Sequence, residues 1–328
     1  MRSSIASTLL ALSSAFVVAA QGSSNSPSSV AASAPTNAPQ AQDQPSPRRT
    51  PPGSKADPIP IDFAQGVANF SLPALYAQSA DCVETVVGAS VSGGNDDAVV
   101  TWVGGDGGQT AQRVYVAYSG SRGGIIVAHQ GTNNTAPASA ALPGNFNLTA
   151  PDPRLGVNIP GSAVYGGFQV AWAANADETL AQVKELLVKH ANASILVTGH
   201  SMGGAIATID ALFLSNALKR TVKAIAFAPP RVGNAPFADF IDKVVPDFRY
   251  IVNGGDPTTQ IVPATYYRHP SGEVWINPAN STTAVFCPGQ ENVHCQASLP
   301  QPSWNEGDHL GVHGWQHVGG LLLTFGFS

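Results

Sequence analysis

Ser194-Ile195-Leu196-Val197-Thr198-Gly199-His200-Ser201-Met202-Gly203-Gly204-Ala205 is the stretch on which the fold turns. Its opening residues read as a short buried strand, and from Met202 to Lys219 the apolar spacing is helical. Between the two stands Gly-x-Ser-x-Gly, residues 199–203. In a chain with 33 glycines the bare pentapeptide carries little weight. Its context carries more, because a serine on a sharp strand-to-helix turn needs small neighbours where the backbones crowd. Such a turn lifts the hydroxyl beyond the sheet and sets the positive end of a helix beside a forming oxyanion. Ser201 is therefore the candidate nucleophile.

Working outward, residues 98–103, 112–118 and 124–129 read as consecutive strands, rich in Val, Ile and Tyr and separated by Gly-rich turns. Residues 167–189 read as one long helix, with Phe168, Val170, Ala171, Leu180, Val183, Leu186 and Leu187 near helical spacing. Strands follow at 222–227, stopped by Pro229-Pro230, and at 248–252, ending before Gly254-Gly255. Alternation of strands and helices after residue 165 predicts an α/β fold, a mostly parallel central sheet with helices on both faces. The span 58–328 suits a single domain of that class.

A serine hydroxyl needs a base, and the base needs an orienting carboxylate; behind an elbow of this kind the chain order is Ser, acid, His. Asp256 follows a strand and a Gly-Gly turn, where a site carboxylate belongs. Asp210 lies on the helix behind the serine and points elsewhere. Asp239, Asp242 and Asp247 flank a helix and read as solvated surface acids. Among the histidines, His269 is too close in sequence to Asp256 to reach a separate loop, and His294 sits between two cysteines. Residue types leave His309 and His313 as alternatives.

The ends of the chain set its compartment. Met1-Arg2, the small and apolar run 5–18 and Val18-Ala19-Ala20 read as a secretory signal peptide over 1–20. Residues 21–57 are Ser-, Pro-, Ala- and Gln-rich and read as a disordered linker or propeptide, with Arg48-Arg49 a candidate processing site. A secreted, extracellular protein is the expectation. Sequons at Asn69, Asn133, Asn147, Asn192 and Asn280 are candidate glycosylation sites on that route. Cys287 and Cys295 enclose a short loop and are candidates for a disulfide worth roughly 2–3 kcal/mol. Cys82 is then left over and reads as a buried apolar thiol.

Charged residues make up 11% of the chain and the net charge is −5, with no basic cluster to bind nucleic acid. No second apolar run is long enough for a transmembrane segment; residues 318–327 read as a final packed helix or strand. Histidines and cysteines lack metal-ligand spacing, so no metal or cofactor is expected.

The elbow 195–205 resembles that of the fungal class 3 lipases, the triacylglycerol lipase and feruloyl esterase family. Three further segments match in order. Residues 125–132, Ile-Ile-Val-Ala-His-Gln-Gly-Thr, are similar to the family's oxyanion strand, and 226–234, Ala-Phe-Ala-Pro-Pro-Arg-Val-Gly-Asn, to its Pro-Arg-Val-Gly-Asn turn. Residues 252–257, then Val262-Pro263 and 267–275, look like its acid loop and the next strand. The resemblance covers most of the chain from about residue 80. It implies an α/β-hydrolase fold with Ser201, Asp256 and His309 as the triad, His309 because Asp308-His309-Leu310-Gly311 resembles the family's closing segment. It also implies that the backbone N–H groups of Thr132 and Met202 form the oxyanion hole.

Two departures bear on substrate preference: Gln130 stands where many members carry Arg, and Tyr165 where many carry His. The resemblance further implies a mobile lid between Asn133 and Pro160, with Leu142, Phe146, Leu148 and Leu155 covering the site in water. The expected function is a serine carboxylic-ester hydrolase, foremost a triacylglycerol lipase acting on an ester or lipid substrate at a lipid-water interface. A feruloyl or small-acyl esterase is the alternative, and a non-catalytic binding protein of the same fold a more distant one.

Overall fold

The computed structural model describes residues 53–62, 68–91, 95–144 and 146–310. The expected signal peptide, most of the linker, Arg48-Arg49, His313, His317 and the apolar run 318–327 lie outside the described residues. The chain order is β1 (Ile59–Ile61), α1 (Ala68–Ser79), β2 (Val99–Gly104), β3 (Val114–Ser119), β4 (Gly124–His129), α2 (Pro137–Ala141), β5 (Leu148–Thr149), β6 (Val164–Tyr165), α3 (Gly166–Ala173) and α4 (Ala176–Lys189). It continues with β7 (Ser194–His200), α5 (Met202–Leu218), β8 (Lys223–Phe227), α6 (Ala235–Val244), β9 (Phe248–Asn253), α7 (Thr258–Ile261), β10 (Glu273–Ile276), β11 (Ala284–Cys287) and α8 (Glu306–Leu310).

Among the described residues, nine strands form one sheet in the order β1-β11-β10-β9-β8-β7-β4-β3-β2. Its centre, β4-β7-β8-β9-β10, is parallel throughout. The two edges, β3-β2 and β11-β1, run antiparallel. Along β3 and β4 the side chains alternate between two apolar environments. Val114, Val116, Ile125 and Val127 join the core cluster that contains α5, whereas Tyr115, Ala117, Ile126 and Ala128 join Tyr76 of α1. A strand buried on both faces reads as a continuous apolar run, which is why these segments show no polar alternation in the sequence.

The long helix expected over 167–189 is two helices, α3 and α4, separated at Ala174 and Asn175. Asn175 leaves helical geometry at φ −124° and ψ 0°, and its side-chain Nδ2 donates to the Gln112 carbonyl at 2.9 Å. Both helices turn apolar residues inward, so the hydrophobic period runs through the break and hides it. The folded region also begins before the expected boundary at residue 58. Ser54 N–H donates to the Gln290 carbonyl (2.9 Å), Val293 N–H to that of Ser54 (2.9 Å), and Asn292 Nδ2 to that of Ala56 (2.9 Å).

Cys287 and Cys295 are joined in a disulfide. Glu273 lies within 4.8 Å of both sulfurs, but bridged sulfurs offer no thiolate to an ion. Cys82 is exposed rather than buried, because it follows α1 in a surface turn. Asp239 and Asp242 are not simply solvated: Asp242 accepts from the Ser271 N–H (2.7 Å) and hydroxyl (2.8 Å), and Gln290 Nε2 reaches both acids. Of the sequons, Asn69, Asn147 and Asn192 are exposed, whereas Asn133 Nδ2 donates to the Gly107 carbonyl (2.7 Å) and Asn280 Oδ1 accepts from Asn253 (3.0 Å).

Arg231, from the Pro-Arg-Val-Gly-Asn turn, is 1% exposed. Its Nε and Nη2 donate to the two Glu291 oxygens, both at 2.7 Å, and Nη1 donates to the Val262 carbonyl at 2.8 Å. Burial opposes ionisation of Glu291, but the guanidinium beside it prevails and holds the carboxyl at about 2. Glu273, buried nearby, is pushed up to about 7 by desolvation, against an N–H donated by Gln296.

Two outcomes follow for stability. Arg231→Met strands the Glu291 carboxylate and lowers unfolding free energy by about 3–5 kcal/mol in urea titrations, and adding Glu291→Leu recovers much of the loss. Glu273 holds its proton to higher pH in the fold than its ordinary 4.5. Its contribution is therefore complete below about pH 4.5 and lost as pH rises through about 7. Glu273→Gln removes that part of the pH dependence, measured as unfolding midpoint between about pH 4 and 8.

Candidate active site

Ser201 sits between β7 and α5 with φ 56° and ψ −127°, a backbone conformation that L-residues rarely adopt. Its glycine neighbours explain how the turn closes. A Cβ on Gly203 would lie 2.3 Å from the His129 carbonyl oxygen, and one on Gly199 would lie 2.4 Å from that of Gly203. Only bare backbone allows β4, β7 and the first turn of α5 to approach so closely. Ser201 N–H donates to the Phe227 carbonyl of β8 at 2.8 Å, and its own carbonyl accepts from Gly204 (3.0 Å) and Ala205 (3.2 Å). The strained serine is thus tied to two strands and a helix.

The parallel strands all deliver their carboxyl ends to the same side. β9 ends at Asn253, and the Gly254-Gly255 turn carries the chain to Asp256, which is 0% exposed. Asp256 Oδ1 accepts the Thr258 N–H at 2.8 Å, while Oδ2 lies 2.9 Å from His309 Nδ1. His309 Nε2 lies 3.0 Å from Ser201 Oγ. Ser201, Asp256 and His309 therefore stand within hydrogen-bonding reach of one another in the order acid, imidazole, hydroxyl. His309 is 15% exposed on its side chain, open enough to meet a substrate or water.

Several groups that residue types did not single out hold His309 in place. Asn253 Nδ2 donates to the Asp308 carbonyl (3.0 Å), Gly255 N–H to Asp308 Oδ2 (2.8 Å), and Asn305 Nδ2 to Asp308 Oδ1 (2.8 Å). The His200 ring stacks on that of His309 at 4.6 Å and hydrogen-bonds through Nε2 to the His309 carbonyl at 3.1 Å. Burial, and then the neighbouring His309, push His200 well below the usual histidine range, so it stays neutral. Asn253 and Asp308 lie inside segments quoted for their likeness to the family, but nothing in their type marks them as clamps.

Asp210 does point away from the hydroxyl. It is buried beneath the elbow, where Oδ2 lies 3.0 Å from His129 Nε2 and Oδ1 accepts the Trp172 indole N–H at 3.1 Å. His269 is also excluded from the site: its Nε2 is 2.9 Å from the Thr259 carbonyl, and burial lowers it to about 4. Met202 opens α5 directly after the serine. Thr132 follows Gly131, whose Cβ position lies 3.8 Å from that of Ser201. Gln130 is buried, and its Oε1 accepts the Arg113 N–H of the approach to β3 at 3.1 Å.

The segment expected to be a mobile lid, 133–160, is anchored over much of its length. Leu148 and Thr149 pair with β6, and Leu155 is buried in the main core. Tyr165 donates its hydroxyl to the Pro143 carbonyl and Tyr267 to the Phe146 carbonyl, each at 2.5 Å. Asp152 and Arg154 form an ion pair at 2.9 Å. Phe146, 49% exposed, is the large apolar side chain of this stretch that faces water.

The family model described as lipase (class 3) matches residues 126–266, a span that holds Ser201 and Asp256 but stops short of His309. A secreted mono- and diacylglycerol lipase of Malassezia globosa is 35% identical over 274 residues, covering 82% of this chain and 88% of the relative. One of Gibberella zeae is 40% identical over 221 residues, covering 63% and 68%. Among solved structures, the lipase of Rhizopus microsporus var. chinensis superimposes with a TM-score of 0.68 at 24% identity, covering 82% of this chain and 93% of that one. The Lip2 lipase of Yarrowia lipolytica gives 0.67 at 21%, covering 78% and 96%. The solved structures share the fold, an α/β hydrolase, and the identity carried along nearly the whole length of the Malassezia relative places this chain in the class 3 lipase family.

Proposed function

We propose that this protein is a secreted acylglycerol lipase that cleaves carboxylic esters through Ser201, His309 and Asp256. The relay of 2.9 Å from Asp256 to His309 and 3.0 Å from His309 to Ser201 carries the reading. Ser201 Oγ attacks the acyl carbonyl carbon and gives its proton to His309 Nε2, while Asp256 holds Nδ1–H and stabilises the imidazolium. The carbonyl oxygen, now an oxyanion, accepts from the backbone N–H groups of Thr132 and Met202. Removing one such donor typically costs about 3–4 kcal/mol of transition-state stabilisation. Collapse of the tetrahedral adduct breaks the ester C–O bond, and the leaving alcohol takes the proton from His309. Water then gives a proton to His309 and attacks the acyl-enzyme; the acyl C–Oγ bond breaks, Ser201 Oγ takes the proton from His309, and the fatty acid leaves.

Partial glycerides are the substrate class we favour over triacylglycerols, because the relatives of Malassezia globosa and Gibberella zeae are named mono- and diacylglycerol lipases. Secretion is supported in the same way, and by the leader-like residues 1–20. Between Asn133 and Pro160 we favour a short cover around the exposed Phe146 over a long flap, since Leu148 and Thr149 pair with β6 and Leu155 is buried.

Ser201→Ala and His309→Ala each lower kcat by at least about 10⁴-fold without unfolding the protein, and the double variant is no worse than either alone. Retention of more than a few per cent of activity in Ser201→Ala overturns the nucleophile. In emulsions of matched acyl chain, initial rates on mono- and diacylglycerol exceed those on triacylglycerol by about tenfold or more, a difference of about 1.4 kcal/mol. Equal rates on the three would remove the partial-glyceride preference and leave the ester chemistry standing.

A further inference from the structure

Gly131 is the residue before Thr132, and both of its peptide groups are held by side chains, one buried and one partly buried. Asp81, in the turn after α1, accepts the Gly131 N–H on Oδ1 at 2.8 Å. Gln112, just before β3, donates its Nε2 to the Gly131 carbonyl at 2.9 Å. That carbonyl belongs to the same peptide unit as the Thr132 N–H. In a planar trans peptide the two point in opposite directions, so fixing one aims the other.

A glycine at this point needs such restraint. Its open torsional space lets the 131–132 peptide turn over, which would direct the Thr132 N–H away and present a carbonyl oxygen in its place. Space favours glycine all the same, because a Cβ on residue 131 would lie 3.2 Å from the His200 carbonyl. The chain therefore has a flexible link immediately beside a group that must not move. Gln112 is well placed to stiffen it. It is buried, its own carbonyl is tied to Asn175 Nδ2 (2.9 Å), and its Nε2 also lies 4.0 Å from Met202 Sδ. Its Oε1 has no partner among the described residues. Turning the amide over would set that oxygen against the Gly131 carbonyl, so the donor orientation is the one the site supports.

We propose that Gln112, with Asp81, is a positioning residue for catalysis: the pair clamps the two peptides of Gly131 and thereby aims the Thr132 N–H at the oxyanion. The inference rests on the ester-hydrolase reading above and adds what orients one of its two donors. Neither side chain touches substrate. The clamp works only through the backbone, and its loss is felt where charge develops on the carbonyl oxygen rather than where the acyl chain binds.

The test compares wild type with Gln112→Met, which keeps the side-chain length and removes the donor, and with Asp81→Ala and Asp81→Asn. Each is measured for kcat and KM on p-nitrophenyl butyrate, for the rate of inactivation by a fluorophosphonate, and for the final stoichiometry of labelling. Gln112→Met is expected to lower kcat by about 10- to 100-fold with KM within about threefold. The phosphonylation rate falls in parallel, and labelling still reaches one per chain. Asp81→Ala behaves likewise in a smaller measure, and Asp81→Asn, which keeps an acceptor oxygen, recovers part of the loss. Full-rate kcat in Gln112→Met at full labelling stoichiometry overturns the clamp. So does a loss of activity matched by a loss of labelled sites, which marks a folding defect. If Ser201→Ala remains active, the hydrolase reading fails first and is recognised by that result alone.

Discussion

Everything at the site depends on one close approach, that of the first turn of α5 to the end of β4. The Gly203 backbone passes so near the His129 carbonyl that no side-chain atom fits between them. This contact drives Ser201 into positive φ, because the chain must reverse from strand to helix in a single residue. It also brings the end of β4, and with it Gly131 and Thr132, beside the serine. Strain of this kind persists only where the surroundings over-determine it, and here they do. Ser201 is bonded to Phe227 on β8, and Asp210 of α5 is locked to His129 and Trp172 underneath.

The remaining parts of the site arrive by loops, and the sheet registers them. Parallel strands β7, β8 and β9 end side by side, so residues after each strand gather at one edge even though they are far apart in sequence. Asp256 is fixed by its own turn, with Thr258 N–H on one oxygen and His309 on the other. The imidazole comes from the short helix α8. Hydrogen bonds from Asn253 and Gly255 to Asp308, with the His200 contacts to His309, fix its position. The end of β9 and the turn after it thus supply the acid and grip the helix that supplies the base.

Behind Asp256 lies a second polar layer. Gln296, next to the disulfide at Cys295, donates to the Asp256 carbonyl at 2.5 Å and its N–H donates to Glu273 at 3.1 Å. Arg231 and Glu291 are paired in the same region, and His269 N–H donates to Glu291 at 2.7 Å. Buried charges of this sort are costly unless every lone pair finds a donor. Their satisfaction here stiffens the acid loop from behind.

The sequence by itself determined the elbow, the strand from 124 to 129, the helix beginning at Met202, and Ser201 and Asp256 as candidates. Those features are local: glycine spacing, apolar runs and a Gly-Gly turn are written in consecutive residues. It did not separate His309 from His313 by residue type, since a histidine's partner is chosen by a loop closing over fifty residues; likeness to the family favoured His309. Nor did it show the break at Asn175, because two helices with inward apolar faces keep one period. Gln112, Asp81, Asn253 and Asp308 were silent for the same reason. Each is an ordinary polar residue whose role exists only after segments distant in sequence have been laid side by side, so that its side chain meets a backbone group. Tertiary structure alone decides which polar groups are buried together, and burial is what turns a common hydrogen bond into a constraint on geometry.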